Sequence, residues 1–537
     1  MSGARQFDFA DYFPAANGVT DDSPALSRCF ADVAAAGGGT MVIPPGDYRV
    51  TGSPTAVIPS RTTVFAHGAR FLLPETLGDR ARVVLFAGQD VNDFSWFGGH
   101  FEGHCFDYRR PPNTWEPNVS TRIFVINTSP GGTTRGLTFR DVSGQRVAGA
   151  VVNVEGVGVE GSERDVQTFA EDLTVRDCNF VDCGKFMWDY GLLWQIMVWP
   201  EEYDPADVEM ARRYFRNDLI REGVRMETGD DRVQFDNTGA PIPVAPNAGA
   251  DFCVCFLGQD LPSNIVRGKK YFVVDSQPEY IRIAESFGGE PIVFATSSGE
   301  GAGLIHNLSQ AFYHLFWPTG CGPGKGCVDL VCCRNTNLTG NRMSALGDTM
   351  HIQRCHNNVF SSNQITGSRM GAFFLAEYCK NSVVTGNTVD GTNGSRVMSV
   401  EKSCEDTLII GNTFRGGGRG SWINQPKNII FQGNIFINNT TKNERDPWRG
   451  RKDFESGDYG HSGELYFTLH EPGGRYGPVI IRDNIFVTGP ECAETIGFAE
   501  SGHTIIVEGN VFEGPGRTIR VSEGCTGVRI ANNAGVD

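Results

Sequence analysis

One residue type, returning at a nearly fixed step, constrains this chain more than any other feature. Asparagine closes a Gly-Asn phrase or a near variant at Asn341, Asn363, Asn387, Asn412, Asn434, Asn484, Asn510 and Asn533, at steps of 22, 24, 25, 22, 50, 26 and 23 residues. The second half is where Asn concentrates: 21 lie in 301–537 against 11 in the first 300, so the repeat belongs there. Between the marks run short β-branched stretches such as Leu408-Ile409-Ile410 and Ile505-Ile506-Val507. Each is too short for a helix and suits a pleated surface. A period in the low twenties without a helical stripe is the mark of a solenoid. Asn tolerates left-handed backbone and bonds its own main chain, so an Asn column at a turn is physically reasonable. Successive coils would then pair as parallel strands about 4.8 Å apart. The pattern predicts an all-β parallel β-helix, with the step of 50 read as two coils of 25, one absorbing a loop over 441–463.

Cysteine follows the same period. Cys333, Cys355, Cys379 and Cys404 each stand eight residues before their Asn, as Cys525 does before Asn533. A column of small apolar thiols inside the coil accounts for them. The pairs Cys332-Cys333 and Cys321…Cys327 lack the C-x₂₋₄-C spacing of zinc sites, so neither metal nor another cofactor is expected. A net charge of −16 argues against nucleic acid and anionic membranes as partners. No run of 18 apolar residues is present to span a bilayer. The first residues lack an apolar h-region, so no signal peptide is visible and the compartment stays open.

Near the start, Asn17-Gly-Val-Thr-Asp-Asp-Ser-Pro-Ala-Leu leads into a helical pattern over 25–36, with Asp22 or Ser23 to cap it and Pro24 in its first turn. Gly37-Gly-Gly-Thr, Met41-Val-Ile and Pro44-Pro-Gly-Asp-Tyr follow. This opening resembles that of the pectin-lyase-like superfamily, in particular the "pectate lyase 3" type, which includes glycoside hydrolases and bacteriophage tailspikes. The resemblance implies a right-handed parallel β-helix whose open end is covered by the helix. It implies action on carbohydrate, and a homotrimer is an expectation from the same relatives. The chain departs from the polygalacturonase pattern of paired Asp followed by Gly-His-Gly and Arg-Ile-Lys, and lacks the Tyr-Gly-x-Asp-Pro-His phrase of alginate epimerases. No reaction is therefore carried over residue by residue.

The sequence divides into a cap and first coils over 1–199, an insertion over 200–318, and main coils over 319–537. Within the insertion, 200–222 reads as an exposed helix and 230–303 as a small β module, with strands at 265–274, 280–284 and 291–294.

With each Asn as a ruler, the strand ten residues earlier aligns from coil to coil. Leu330, Ile352, Ala376, Val400 and Ile423 form an apolar, inward column. Period 2 then sends its neighbours outward. One outward column holds Asp329, His351, Leu375, Ser399 and Trp422; the other holds Val331, Gln353, Glu377 and Glu401. Asp348 and Arg396 stand at strand starts and Lys402 beside Glu401. Stacked Glu377 and Glu401 would lie near each other, so one carboxyl should be raised toward an acid's working range. Glycoside cleavage needs that division into an acid and a carboxylate. The catalytic candidates are therefore Glu377, Glu401, Asp329, Asp348 and His351. Candidates for holding substrate are Arg396, Lys402, Gln353, Trp422, Trp188 and Trp448. The reading is a hydrolase of a neutral or weakly charged glycan. A uronate-cleaving lyase, a tailspike-type receptor-binding depolymerase and a fructan fructotransferase are the alternatives. Outward Glu as plain solvated strand surface is the bland reading of the same column.

Overall fold

The computed structural model describes residues 5–536 except 75–82, 104–120, 148, 185–219, 237–241, 245–252, 259, 268, 307–324, 346–347, 368–370, 392–395, 419, 441–462, 472, 491 and 500. Its described strands form three long parallel sheets of 14, 13 and 12 strands, each strand pairing with the equivalent one of the next coil. One coil illustrates the unit: Asp348–Gln353 in the 12-stranded sheet, His356–Ser361 in the 14-stranded sheet, and Gln364–Thr366 in the 13-stranded sheet. We call these the site sheet, the long sheet and the short-strand sheet.

The Asn column sits at the turn from the long sheet to the short-strand sheet. Asn341 Nδ2 donates to Asn363 Oδ1 at 2.9 Å, and the backbone N–H of Asn341 reaches the same oxygen at 3.0 Å. The pattern repeats through Asn387, Asn412, Asn434, Asn484 and Asn510 to Asn533. The residue before each Asn is left-handed, which explains Gly386 (φ +64) and Gly411 (φ +65) at that position, with Ser362 and Asp483 taking it elsewhere. A second Nδ2 bond goes to an interior carbonyl, as from Asn412 to Val384 O at 2.9 Å, so the buried amide is fully used.

The ladder corrects the reading of the 50-residue step. Asn434 bonds directly to Asn484 at 2.9 Å, and Ile435–Ile437 pairs with Ile485–Val487, so 435–484 is one coil enlarged at its loops. A spare coil would have placed another rung between them.

The interior is filled by side chains stacked at coil spacing. Phe414, Phe436, Phe486 and Phe512 follow one another with ring centroids 5.1, 5.0 and 5.0 Å apart. Cys333, Cys355, Cys379 and Cys404 are buried free thiols, and Cys525 on the last coil is half-buried. At the amino-terminal end the helix Ser23–Ala35 buries Leu26, Cys29, Phe30 and Val33. Asp22 holds the cap position without a side-chain cap bond. Its carboxylate instead accepts from the N–H groups of Ala15 and Ala16, at 2.6 and 3.2 Å. Among the described residues no helix is long and apolar enough to cross a membrane.

A separate six-stranded antiparallel sheet spans Ile220 to His306. Of the helix expected over 200–222, residues 200–219 lie outside the described ones and Ile220–Arg221 is a strand paired to Gly303–His306. Tyr280–Ala284 is a strand as expected. The strand expected at 265–274 begins only at Lys270 and runs to Gln277, because a turn closes from Ile265 N–H to Pro262 O. Residues 291–294 form no strand.

Candidate functional site

The site sheet sets the positions. Its inward residues Leu330, Ile352, Leu375, Val400 and Ile423 are all buried. The positions facing the other way include Asn153, Asp329, His351, Ser399, Trp422 and Tyr466, with Phe374 in the same backbone register between His351 and Ser399. Two expectations change here. Leu375 is inward, and Ala376 lies opposite Gln353, not in the inward column. The slip has a local cause: Ile352 to Cys355 takes three steps along the chain, whereas Leu375 to Cys379 takes four. The extra residue is absorbed by two successive left-handed residues, Glu377 (φ +47) and Tyr378 (φ +55), and the next coil repeats this at Lys402 and Ser403.

Glu377 consequently stacks on Lys402 and not on Glu401. Lys402 Nζ lies 2.5 Å from Glu377 Oε1, and the Gln353 amide donates to the other carboxylate oxygen. Burial pushes the Glu377 carboxyl up, but the bonds from Lys402 and Gln353 and the charges of Lys402 and His351 outweigh it, leaving it below the ordinary range. Glu401 follows Val400, with its N–H on Leu375 O at 2.9 Å. Burial pushes its carboxyl up to about 7; the charge of Asp348 adds to this and that of Arg396 opposes it. The two carboxyls are thus shifted in opposite directions, Glu401 by burial and Glu377 by Lys402 and Gln353, and not by stacking on each other.

Beside them, His351 Nδ1 sits 2.9 Å from Asp329 Oδ1, and both side chains are buried. Asn153 Nδ2 donates to Asp329 O at 3.3 Å and to Glu155 Oε1 at 3.1 Å, while Arg122 Nη1 reaches Asn153 Oδ1 at 3.0 Å. Asp329, His351, Asp348, Arg122 and Asn153 are each under a tenth exposed, so this stretch of the outer face is not bare solvated strand. Two coils on, the Arg396 guanidinium lies over the Trp422 ring at 4.7 Å, and the indole N–H donates to Thr468 Oγ1 at 2.8 Å. That bond fixes the ring plane.

A hairpin missed in the sequence borders the group. Val157–Gly158 pairs with Val166–Thr168, and its tip crosses several coils. Glu163 comes within 3.7 Å of Lys402, while Arg164 lies 5.2 Å over Tyr378 and 3.6 Å from Glu471. Arg122, Asn153 and the hairpin escaped the Asn ruler, which starts only at Asn341. The weak signal was the likeness of Val151-Val-Asn-Val-Glu155 to Cys327-Val-Asp-Leu-Val331. Trp188 and Trp448 lie outside the described residues.

With this geometry in place, the chain can be set beside known proteins. It is a parallel β-helix. A profile of the NosD family, described as periplasmic copper-binding protein, matches residues 321–451, about a quarter of the chain. No curated protein matches the sequence. Among solved structures it is similar to the A-module of the mannuronan C-5 epimerase AlgE4 of Azotobacter vinelandii, at 10% identity over 98% of this chain and 99% of that one, with a TM-score of 0.48. PfbA, a surface adhesin of Streptococcus pneumoniae, is 11% identical over 99% and 91%, with a TM-score of 0.43. The tailspike of E. coli bacteriophage HK620, solved with a pentasaccharide, is 12% identical over 96% and 66%, also at 0.43. At such values these are similarities of outline, and the fold rests on the sheets themselves.

The described residues do not fit a copper site. The stacked thiols point inward and donate to backbone carbonyls, as from Cys355 to Leu330 O and Cys404 to Leu375 O. Burial pushes the Cys355 and Cys404 thiols well above their ordinary range, whereas a metal needs thiolate. Among the described residues no group of three His, Cys, Asp or Glu is placed to hold an ion.

Proposed function

We propose that this protein is a glycoside hydrolase acting on a neutral or weakly charged poly- or oligosaccharide, with Glu401 as general acid and Glu377 as the ionised carboxylate. One observation carries the reading: two carboxyls just past the ends of neighbouring site-sheet strands are shifted in opposite directions, Glu401 up to about 7 and Glu377 below its ordinary range. Pairs separated in this way divide acid from base work. Glu401 gives its proton to the glycosidic oxygen as the bond to the anomeric carbon breaks. Glu377 either takes a proton from the attacking water or forms the glycosyl ester that water later opens. Asp348 helps keep Glu401 protonated, and the His351–Asp329 pair holds a fixed hydrogen-bonding group beside Glu377. The Trp422 ring, with Arg396 over it, supplies a flat surface of the kind on which a sugar ring stacks. No cofactor enters this chemistry, and a homotrimer remains part of the proposal.

A uronate lyase is the second reading, favoured by the His351–Asp329 pair with Arg396 and Lys402 nearby: His351 would take the C5 proton and a cation would neutralise the carboxylate. Wild type and Glu401→Gln, assayed on a glycan panel for new reducing ends and absorbance near 235 nm, separate the two. Reducing ends without absorbance, lost in the variant, support the hydrolase. Absorbance accompanying cleavage means an unsaturated uronate and sinks it.

A further inference from the structure

We propose that the inserted antiparallel module carries a second carbohydrate site, a shallow pocket of about 460 Å³ that takes one uncharged pyranose ring of a glycan. The proposal rests on the carbohydrate reading above and deepens it by naming the class of sugar. The pocket shares no residue with the Glu377–Glu401 face; its lining includes Val244, Val273, Asp275, Arg282, Phe287 and Pro291.

Its two sides differ in chemistry. On one, Phe287 stands at the tip of a turn closed by Gly289 N–H on Ser286 O at 3.0 Å, with Gly288 left-handed at φ +69. That turn holds the ring outward, 47% exposed, and Val244 beside the pocket is 45% exposed. Large apolar side chains left open at a pocket lip are stabilised when something covers them. On the other side, Arg282 Nη1 lies 2.6 Å from Asp275 and its Nε 2.9 Å from Asp231. The guanidinium is pinned between two carboxylates, so the polar edge is rigid before any ligand arrives.

A pyranose presents an apolar C–H face and a rim of hydroxyls, and these match the two sides. The C–H face covers Phe287, Val244 and Pro291, while rim hydroxyls donate to Asp275 and accept from Arg282. The charged lining residues are Asp275 and Arg282, and Arg282 is already paired with Asp275 and with Asp231 outside the lining. A guanidinium so neutralised offers a uronate carboxylate little attraction, and the edge suits neutral sugars.

The test uses the full chain carrying Glu401→Gln, so that glycan is held without being cut. Native gels containing dextran, galactomannan, xyloglucan or hydroxyethyl cellulose are compared with gels containing alginate or polygalacturonate. Retardation by at least one neutral polymer is expected. Phe287→Ala should weaken it roughly ten-fold, the order expected for loss of an aromatic stacking partner. Asp275→Asn should weaken it as well, with folding checked for both by circular dichroism. Retardation by polyuronates alone, by no polymer at all, or unchanged in both variants overturns the proposal. The hydrolase assignment fails separately: cleavage persisting in Glu401→Gln would remove it and leave the gel result standing.

Discussion

At the corner from the long sheet to the short-strand sheet, every described coil between Arg140 and Val511 turns in two residues. At the corner from the short-strand sheet to the site sheet, the connections range from residues 346–347 to residues 184–324. The first corner is locked by the Asn ladder, where each amide bonds the rung above and below, so one added residue would strand buried donors and acceptors. Among the described residues the second carries only a short ladder, Gly417 to Asn439 to Glu464, and the chain accepts insertions over 103–120, 184–324 and 438–464. Each of the three ends at the first residue of a site-sheet strand, Thr121, Lys325 or Leu465, and that sheet gathers the Asp329–His351, Glu377–Lys402 and Arg396–Trp422 pairs. Variable connections beside a rigid ladder are where a solenoid can build a site without risking its fold.

The sharpest way to break this comparison is to show that the site sheet matters no more than the ladder for activity. Glu401→Gln should reduce glycan cleavage about 10³-fold, roughly 4 kcal/mol of barrier, without lowering the thermal midpoint. Initial rates and calorimetry on one preparation test both halves.

Stability against pH offers the next handle. Glu464 is fully buried, accepts from Asn439 N–H and Nδ2 at 2.9 and 2.6 Å, and is pushed by burial up to about 7. A carboxyl raised in the folded state contributes stability below its unfolded pKa near 4.5 and loses it as pH rises through about 7. Wild type should lose on the order of 3 kcal/mol across that window from this group. Urea titrations at pH 4.5 and 7.5 should show a flatter response in Glu464→Gln.

Within the ladder, Asn412→Ala removes the acceptor for Asn387 N–H and Nδ2 and the donor to Val384 O. Unfolding by urea should register a loss of about 2 kcal/mol. If the variant is as stable as wild type, the locking role of that corner is lost.

Two smaller effects sharpen the site. Lys402→Met takes away the cation that holds Glu377 below its ordinary range, so the acidic limb of the pH–rate profile should move to higher pH. An unmoved limb means that Glu377 is not the ionised group. Glu163 is exposed and 3.7 Å from Lys402, so Glu163→Gln should change stability by less than about 0.5 kcal/mol.

Much of the coil was legible because the same demand recurs every turn. Asn341 through Asn533 and the Cys column repeat the same left-handed turn and the same interior slot, and repetition lifts a weak local signal above the background. The insertion was legible only as an interruption, since its strands follow no shared ruler and 291–294, though Ile292 and Phe294 donate to Ile283 O and Asp230 O, forms no strand. In the site, Asp329 and His351 fall opposite each other in the column expected from the sequence, because they sit on coils of equal turn length, 22 residues apart. Glu377 was not, because one extra residue before Cys379 shifts it past the strand end, and in a structure of period two such a slip changes every neighbour.

The sequence by itself determined the parallel coil and its laddered corner, since those depend on residues that recur at coil spacing and meet their own copies. Tertiary structure alone decided that Glu377 faces Lys402 and that the Glu401 carboxyl is raised to about 7. Both outcomes turn on the length of one turn and on the groups that neighbouring coils bring beside it, Lys402 for Glu377 and Asp348 and Arg396 for Glu401, and the charge of a carboxyl answers to whatever surrounds it in space.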